Sequence, residues 1–233
     1  MKIRSKYDTE LVGISNKLVL MCRSVENAIT KSVEAFTKRD LDLVKEVYAE
    51  EKRADKLELK IEKACLKLLV MQQPVARDFR VIYTTLKMIT DLERIGDQAK
   101  DIAKITKKFD SGEYTSKLDN IELMASIVSQ MVNDGIEAYI NRDLKLAQTL
   151  EEKDKDADKL FKQIMNDYVN DIKENPSNAE QGVLLIMVAK YLERIGDHAV
   201  NIGEKVEYVI TGKYPKKNKS GKSAKHEETN IGN

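Results

Sequence analysis

The hexapeptide Leu-Glu-Arg-Ile-Gly-Asp occurs twice in this chain, at residues 92–97 and 192–197, one hundred residues apart. Self-similarity at a long fixed spacing marks a duplicated supersecondary unit. The duplication extends further: Arg39-Asp40-Leu41-x-Leu43 recurs as Arg142-Asp143-Leu144-x-Leu146, and Ala54-Asp55-Lys56-Leu57 as Ala157-Asp158-Lys159-Leu160. These two pairs are offset by 103 residues rather than 100, so the second copy lacks three residues between its second and third elements. The junctions there are marked by Pro74 and Pro176, and loops absorb such changes of length.

Apolar residues recur at three- and four-residue intervals, as in Leu11, Ile14, Leu18, Met21, Val25, Ala28 and Ile29, or Leu57, Ile61, Ala64, Leu68 and Met71. That is helical periodicity. Turn formers and prolines interrupt it near residues 38–40, 73–74, 110–112, 141–143 and 175–178, which predicts six helices at roughly 7–38, 40–72, 75–109, 116–141, 143–174 and 179–211. Rods of about 30 residues are roughly 45 Å long, and short connections make consecutive rods antiparallel neighbours. The expected fold is all-α: two tandem three-helix bundles, residues 1–112 and 113–211, followed by a basic tail at 212–233. That tail holds Lys213, Lys216, Lys217, Lys219, Lys222 and Lys225 among Gly, Ser and Asn, a disordered composition. Such a tail is either merely solvated or weakly attracted to anionic lipid or to a partner.

Composition removes several classes. Forty basic residues against 39 acidic ones give a net charge of +1, without the overall electrostatic footprint of a nucleic-acid binder. Residues 183–189 form an apolar run far short of the roughly 20 residues that cross a bilayer, and the charged start lacks the apolar segment of a secretory signal. A cytoplasmic location is expected. Cys22 and Cys65 form no Cys-x-x-Cys pair and have no neighbouring His, so they read as buried thiols rather than a zinc or redox pair.

The chemistry lies in four carboxylate pairs at helical spacing: Glu51/Asp55, Glu93/Asp97, Asp154/Asp158 and Glu193/Asp197. The i,i+4 spacing puts both acids of a pair on one helix face. Each bundle receives one pair on its second helix and one on its third, which an antiparallel arrangement lets face each other. A solvated charged face with Lys52 or Arg94 as partners is the plain alternative. Like charges at i and i+4 cost a few tenths of a kcal/mol, however, and Glu93 and Glu193 border apolar stripes, where carboxylates must be paired, neutralised or metal-bound. No cation repeats in register: Lys100 lies near the first stripe, but its counterpart is Val200.

Gly96 and Gly196 sit inside the repeated motif at a cost of about 1 kcal/mol each in helix propensity, and suggest either tight packing or close approach of a bound group. All-oxygen ligation suits hard or borderline cations such as Mg, Mn or Fe, whereas Zn usually recruits His or Cys. Asp101 and its counterpart Asn201 extend the two stripes as secondary candidates. His198 points about 140° away from Glu193 around a helix and is a weak candidate. A di-iron bundle needs Glu-x-x-His on two helices, which neither His198 nor His226 provides, and no phosphate-binding glycine loop or nucleophile elbow is present. Nothing positive points to an enzyme.

The paired carboxylate-x-x-x-Asp motifs, the doubled Leu-Glu-Arg-Ile-Gly-Asp and the segment Gln72-Gln73-Pro74-Val75-Ala76-Arg77-Asp78-Phe79-Arg80 together resemble the PhoU family. The resemblance runs nearly to Thr211. It implies a cytoplasmic, typically dimeric accessory protein of the phosphate ABC transporter. Such a protein represses the phosphate-starvation response through contacts with the transporter ATPase subunit and a sensor histidine kinase. Some members of the family carry multinuclear clusters of iron or other metals on these acidic motifs, so divalent or trivalent ions (Fe, Mn, Mg or Zn) are expected here. Arg77 and Arg80 are candidate partner contacts, although Pro74 and Asp78 also suit a plain helix start. Two other readings stay open: an accessory to a non-ABC phosphate transporter, and a metal-storage or metalloenzyme bundle.

Overall fold

A computed structural model describes residues 2–72, 74–108 and 118–215. Six α-helices carry the fold: α1 (Lys2–Lys38), α2 (Leu41–Gln72), α3 (Ala76–Thr106), α4 (Asp119–Asn141), α5 (Leu144–Glu174) and α6 (Ala179–Thr211). A short 3-10 turn at Pro176–Asn178 leads into α6. The described residues contain no strand. The expected all-α duplication is therefore the observed one.

The helix limits differ from the expected ones where local chemistry decides. α1 begins five residues before the predicted start, because Lys and Arg are good helix formers even where no apolar stripe shows. α3 stops at Thr106, and the amides of Lys107 and Lys108 turn back to the carbonyls of Lys104 and Ile105 in a tightened last turn. The predicted ends of α3 at 109 and of the junction at 110–112 lie outside the described residues, as does the basic tail beyond residue 215.

The repeated Arg-Asp-Leu segment is explained by the turn it builds. Arg39 and Arg142 both adopt left-handed backbone, with φ of 56° and 54°. The amides of Asp40 and Asp143 each reach back 2.9 Å to the carbonyls of Ala35 and Ala138, closing the preceding helix. Each Asp then caps the next helix: Asp40 Oδ1 accepts from the amides of Asp42 and Leu43, and Asp143 Oδ1 from Leu146. The motif recurs because each repeat needs the same antiparallel turn.

Helices α1, α3, α6 and α4 pack in a ring, with each touching the next; α2 lies outside against α1 and α3, and α5 outside against α4 and α6. The buried side chains of both repeats form one continuous cluster, including Leu18, Met21, Ile29, Phe36, Ile61, Ile89, Leu92, Ile95 and Ile102 of the first repeat and Val128, Leu192, Ile195 and Ile202 of the second. Truncating such a side chain, as in Ile95→Ala, costs about 2–5 kcal/mol. Within each hexapeptide Leu, Ile and Gly face this core while Glu stands half-buried at its edge; Asp97 is half-buried as well, and Asp197 is exposed. Both thiols are buried and free, and burial pushes that of Cys65 up to about 12.

Candidate functional site

The carboxylate pairs meet along the two outer seams of the ring, α2 against α3 and α5 against α6. On the first seam, successive turns of α2 present Glu51, Asp55 and Glu58, and α3 presents Glu93 and Asp97. Glu51 is only 6% exposed, and Lys100 Nζ donates to its Oε1 across the seam at 2.5 Å. Lys100, near the first stripe in the sequence, thus reaches across to Glu51, and because its counterpart is Val200 this cation belongs to the first repeat.

The remaining acids of this seam crowd one another. Burial holds the Asp55 carboxyl above its ordinary range, and Glu51 and Asp97 raise it further against the pull of Lys100. Glu58 is raised by burial and then by Glu93, Asp55 and Glu62. Glu93 is raised by burial, by Asp97 and by Asp55, with Arg94 opposing. Arg94 is exposed and lies 3.4 Å from Glu93 and 3.6 Å from Asp97, contacts that contribute at most about 1 kcal/mol in solvent. Asp101 is taken up by Lys104 at 2.7 Å.

The second seam repeats the plan with different surroundings. Asp154 is buried and Asp158 half-buried on α5; Glu193 is half-buried on α6, and Asp197 lies at the open rim. Partial loss of solvent raises the Asp197 carboxyl, as do Glu193 and Asp158, while Lys190 and His198 oppose. Lys190 Nζ donates to Glu193 at 2.6 Å and lies 5.4 Å above the Phe161 ring. Phe161 occupies the position of Glu58, and Val200 that of Lys100. Asn201 is half-buried beside this seam.

The two motif glycines also differ. A β-carbon at Gly96 would touch only Val25, at 4.0 Å, whereas one at Gly196 would come within 3.0 Å of Asp154 Oδ1. Close approach is therefore required in the second repeat, where the carboxylate rests against the bare backbone, and not in the first.

Between the seams, where α3 meets α6, lies a buried ionic group of which only His198 figured, weakly, among the candidates read from the sequence. Asp91 is 8% exposed; His198 Nδ1 lies 3.0 Å from its Oδ1, and Lys205 Nζ donates to its Oδ2. One residue of the first repeat is thus tied to two of the second. The counterparts of these three residues are Tyr191, Gln98 and Ile105, so the seam is not symmetric. The mismatch is visible in the sequence, but its meaning depends on the inter-repeat packing.

Among the described residues, no three or more His, Cys, Asp and Glu side chains converge as a metal cage. The donor set is nonetheless all oxygen, anionic and self-repelling, which fits a hard cation in chemistry, while Lys100 and Lys190 now hold carboxylates that such an ion would draw on. Glu58 belongs to this donor set and escaped the sequence reading, because its counterpart is aromatic; its place three residues after Asp55 was the available signal. Arg77 is exposed. Arg80 is half-buried, its guanidinium packed so closely on Gly212 that a β-carbon there would collide with Nη1.

A six-helix duplicated bundle with a carboxylate face on each repeat defines a narrow class of helical proteins, and comparison with known sequences places it. The PhoU domain matches this chain twice, over residues 18–106 and 121–206, once per repeat. A Clostridium acetobutylicum protein named phosphate-specific transport system accessory protein PhoU homolog is 36% identical over 90% of this chain and 96% of its own. A Deinococcus radiodurans protein of the same name is 30% identical over 90% and 99%. The crystal structure of PhoU from Pseudomonas aeruginosa superposes with a TM-score of 0.85 at 30% identity, covering 89% of this chain and all of that one. The Streptococcus pneumoniae phosphate transport system regulatory protein PhoU, at 21% identity and a TM-score of 0.81, covers 89% of this chain and 98% of its own and shares the fold. The chain belongs to the PhoU family, whose members are accessory proteins of phosphate transport.

Proposed function

We propose that this protein is a negative regulator of the phosphate-starvation response and a modulator of phosphate uptake, acting as a non-enzymatic adaptor between the phosphate ABC transporter, through its ATPase subunit, and a sensor histidine kinase. The observation that carries this reading is the PhoU-domain match on both repeats, with relatives named as accessory proteins of a phosphate-specific transport system. The adaptor works in the cytoplasm as a homodimer. No described helix is long and apolar enough to cross a membrane, which agrees with an accessory role beside a transporter.

In the same reading, the two carboxylate seams bind divalent or trivalent cations, Fe, Mn, Mg or Zn, singly or as clusters. Glu51, Asp55, Glu58, Glu93 and Asp97 would hold them on the first repeat, with Asp101 at its edge. Asp154, Asp158, Glu193 and Asp197 would do so on the second, with Asn201 beside them. A bound cation supplies positive charge that joins two helices of one repeat, and so fixes each seam in a partner-competent shape. Arg77, on the solvent side, and the half-buried Arg80 contribute to a partner contact.

The test is a phosphate-starvation reporter, such as alkaline phosphatase, in cells lacking the gene and grown with abundant phosphate. The proposal expects high expression, returned to low by the wild-type gene. Normal repression in the deletion strain contradicts the negative-regulator role.

A further inference from the structure

The outer faces of α2 and α5 occupy equivalent places in the two repeats and differ in charge. Between residues 52 and 71 of α2, eleven side chains are exposed, of which six are basic and Glu62 alone is acidic. The equivalent eleven positions of α5, 103 residues further on, hold four basic and two acidic residues, so the fold itself does not call for a basic face here. A face that serves solubility alone intersperses both signs. Among the described residues, Lys52, Lys56, Lys60 and Lys63 have no ion-pair partner. Arg53 lies 3.9 Å from Glu50, and Lys67 lies 3.9 Å from Glu10 of α1, both at the limit of contact.

Leu59, Leu66 and Val70 stand among these cations at 52%, 49% and 79% exposure. Their spacings of seven and four residues set them along one line of the helix. At about 100° per residue, Lys56, Lys60, Lys63 and Lys67 all fall on one side of that line, the side on which Lys67 nears Glu10 of α1. Asp55, Glu58 and Glu62 fall on the other side, where Asp55 feels Asp97 and Glu58 feels Glu93 of α3. The apolar line therefore runs between a cationic flank toward α1 and an anionic flank toward the carboxylate seam.

That boundary limits the width of an occupant. A bilayer with acidic headgroups or a nucleic-acid duplex spreads negative charge broadly, and to cover the leucines it would press that charge onto Asp55, Glu58 and Glu62 as well. An α-helix is only about 10 Å across and can lie along the cationic flank without reaching over the carboxylates. Helices dock through apolar anchors at i, i+4 and i+7, and the charges beside such anchors select the partner. The stretch from Lys52 to Val70 is about 27 Å long, enough for a partner helix of several turns. We propose that the outer face of α2 is a docking surface for an acidic amphipathic helix of a partner protein, its apolar stripe on Leu59, Leu66 and Val70 and its carboxylates against Lys56, Lys60, Lys63 and Lys67. The surface is read from exposure and charge, and stands apart from the regulatory role proposed above.

Fluorescence anisotropy of a labelled, alanine-rich helical peptide with a leucine stripe and glutamates beside it, titrated with the full chain in chelator, tests this. Two control peptides carry lysine for the glutamates or serine for the leucines. The expected result is saturable binding of the leucine and glutamate peptide, on the order of tenfold tighter than either control and weakened by salt. Lys60→Gln/Lys63→Gln/Lys67→Gln should weaken it on the order of tenfold, and Leu59→Ser/Leu66→Ser should weaken it as well. All five side chains are exposed, so the circular dichroism of both variants should stay that of the wild type. Lys159→Gln/Lys162→Gln/Lys173→Gln on α5 should leave binding unchanged. Absence of binding, equal binding of the serine control, indifference to either α2 variant, or an equal loss in the α5 variant overturns the proposal. So does binding of phosphatidylglycerol vesicles or duplex DNA that the α2 variants abolish while the peptide does not bind, which would assign the face to those anions.

Discussion

The two repeats carry one motif in two electrostatic settings. In the first, α2 contributes three acids to the seam, and the buried Glu51 is answered by Lys100 from the facing helix. In the second, Phe161 and Val200 stand where Glu58 and Lys100 would be, and Lys190 reaches Glu193 from its own helix. Duplication fixed the positions of the carboxylates, while their counter-charges diverged. The first face is the more anionic; the second has fewer acids and sets Asp154 against the bare backbone of Gly196.

The sharpest way to break the comparison is the inter-repeat ionic group. Asp91→Ala leaves Lys205 and His198 facing an interior without their carboxylate, and a loss of about 3–5 kcal/mol is expected in urea denaturation. Replacing all three groups by their counterparts, Asp91→Tyr/His198→Gln/Lys205→Ile, should recover much of that, since removing a whole buried ionic set is far less harmful than removing one member. If the triple variant is as unstable as Asp91→Ala, the group is not a self-contained unit.

Exchanging counter-charges comes next. Lys100→Val, which copies the second repeat, uncovers the buried Glu51 and should cost about 1–3 kcal/mol, given that the lysine is partly solvated. Lys190→Thr, which copies the first, removes a pair half open to water and should cost less than about 1 kcal/mol. Equal losses would show that the seams are braced alike. The glycines should respond with different signs: Gly96→Ala should stabilise by up to about 1 kcal/mol because its β-carbon fits and helix propensity improves, whereas the crowding of Asp154 at Gly196 should cancel or reverse that gain. Thermal unfolding of the two variants reads this directly.

The smallest expected effect is on pH dependence without added metal. Asp55, Glu58, Glu93 and Asp197 all have carboxyls raised above their ordinary values, so the folded chain holds their protons more tightly than the unfolded one. Stability from these groups is present below the ordinary carboxylate range and is lost as pH rises through the raised values. Three of the four lie on the first face. Asp55→Asn/Glu58→Gln/Glu93→Gln should therefore flatten the fall in stability above pH about 4 more than Asp197→Asn does, as followed by urea midpoints across acidic pH.

Periodicity and duplication made the helices legible, since six amphipathic rods with prolines and polar turns between them leave few other solutions. The facing of the second- and third-helix acids also followed from the sequence, because antiparallel neighbours of equal length bring equivalent turns together. What did not follow was pairing across seams. Lys100 could be assigned to Glu51 only once the register of α2 on α3 was known, and Asp91 reads as one more acid until α6 brings Lys205 beside it. Glu58 was hidden by the same divergence that distinguishes the repeats: a search for what recurs passes over a residue that occurs once. The packing of Arg80 on Gly212 was hidden for a similar reason, since that helix end lies more than a hundred residues further along the chain.

The central claim is that the repeated carboxylates form cation sites of unequal strength. Metal content measured on protein purified without chelator, for the wild type, Asp97→Ala, Asp197→Ala and the double variant, tests it most directly. The account expects bound divalent or trivalent metal in the wild type, a larger loss from Asp97→Ala than from Asp197→Ala, and nearly none in the double variant. Equal and negligible metal in all four would contradict it.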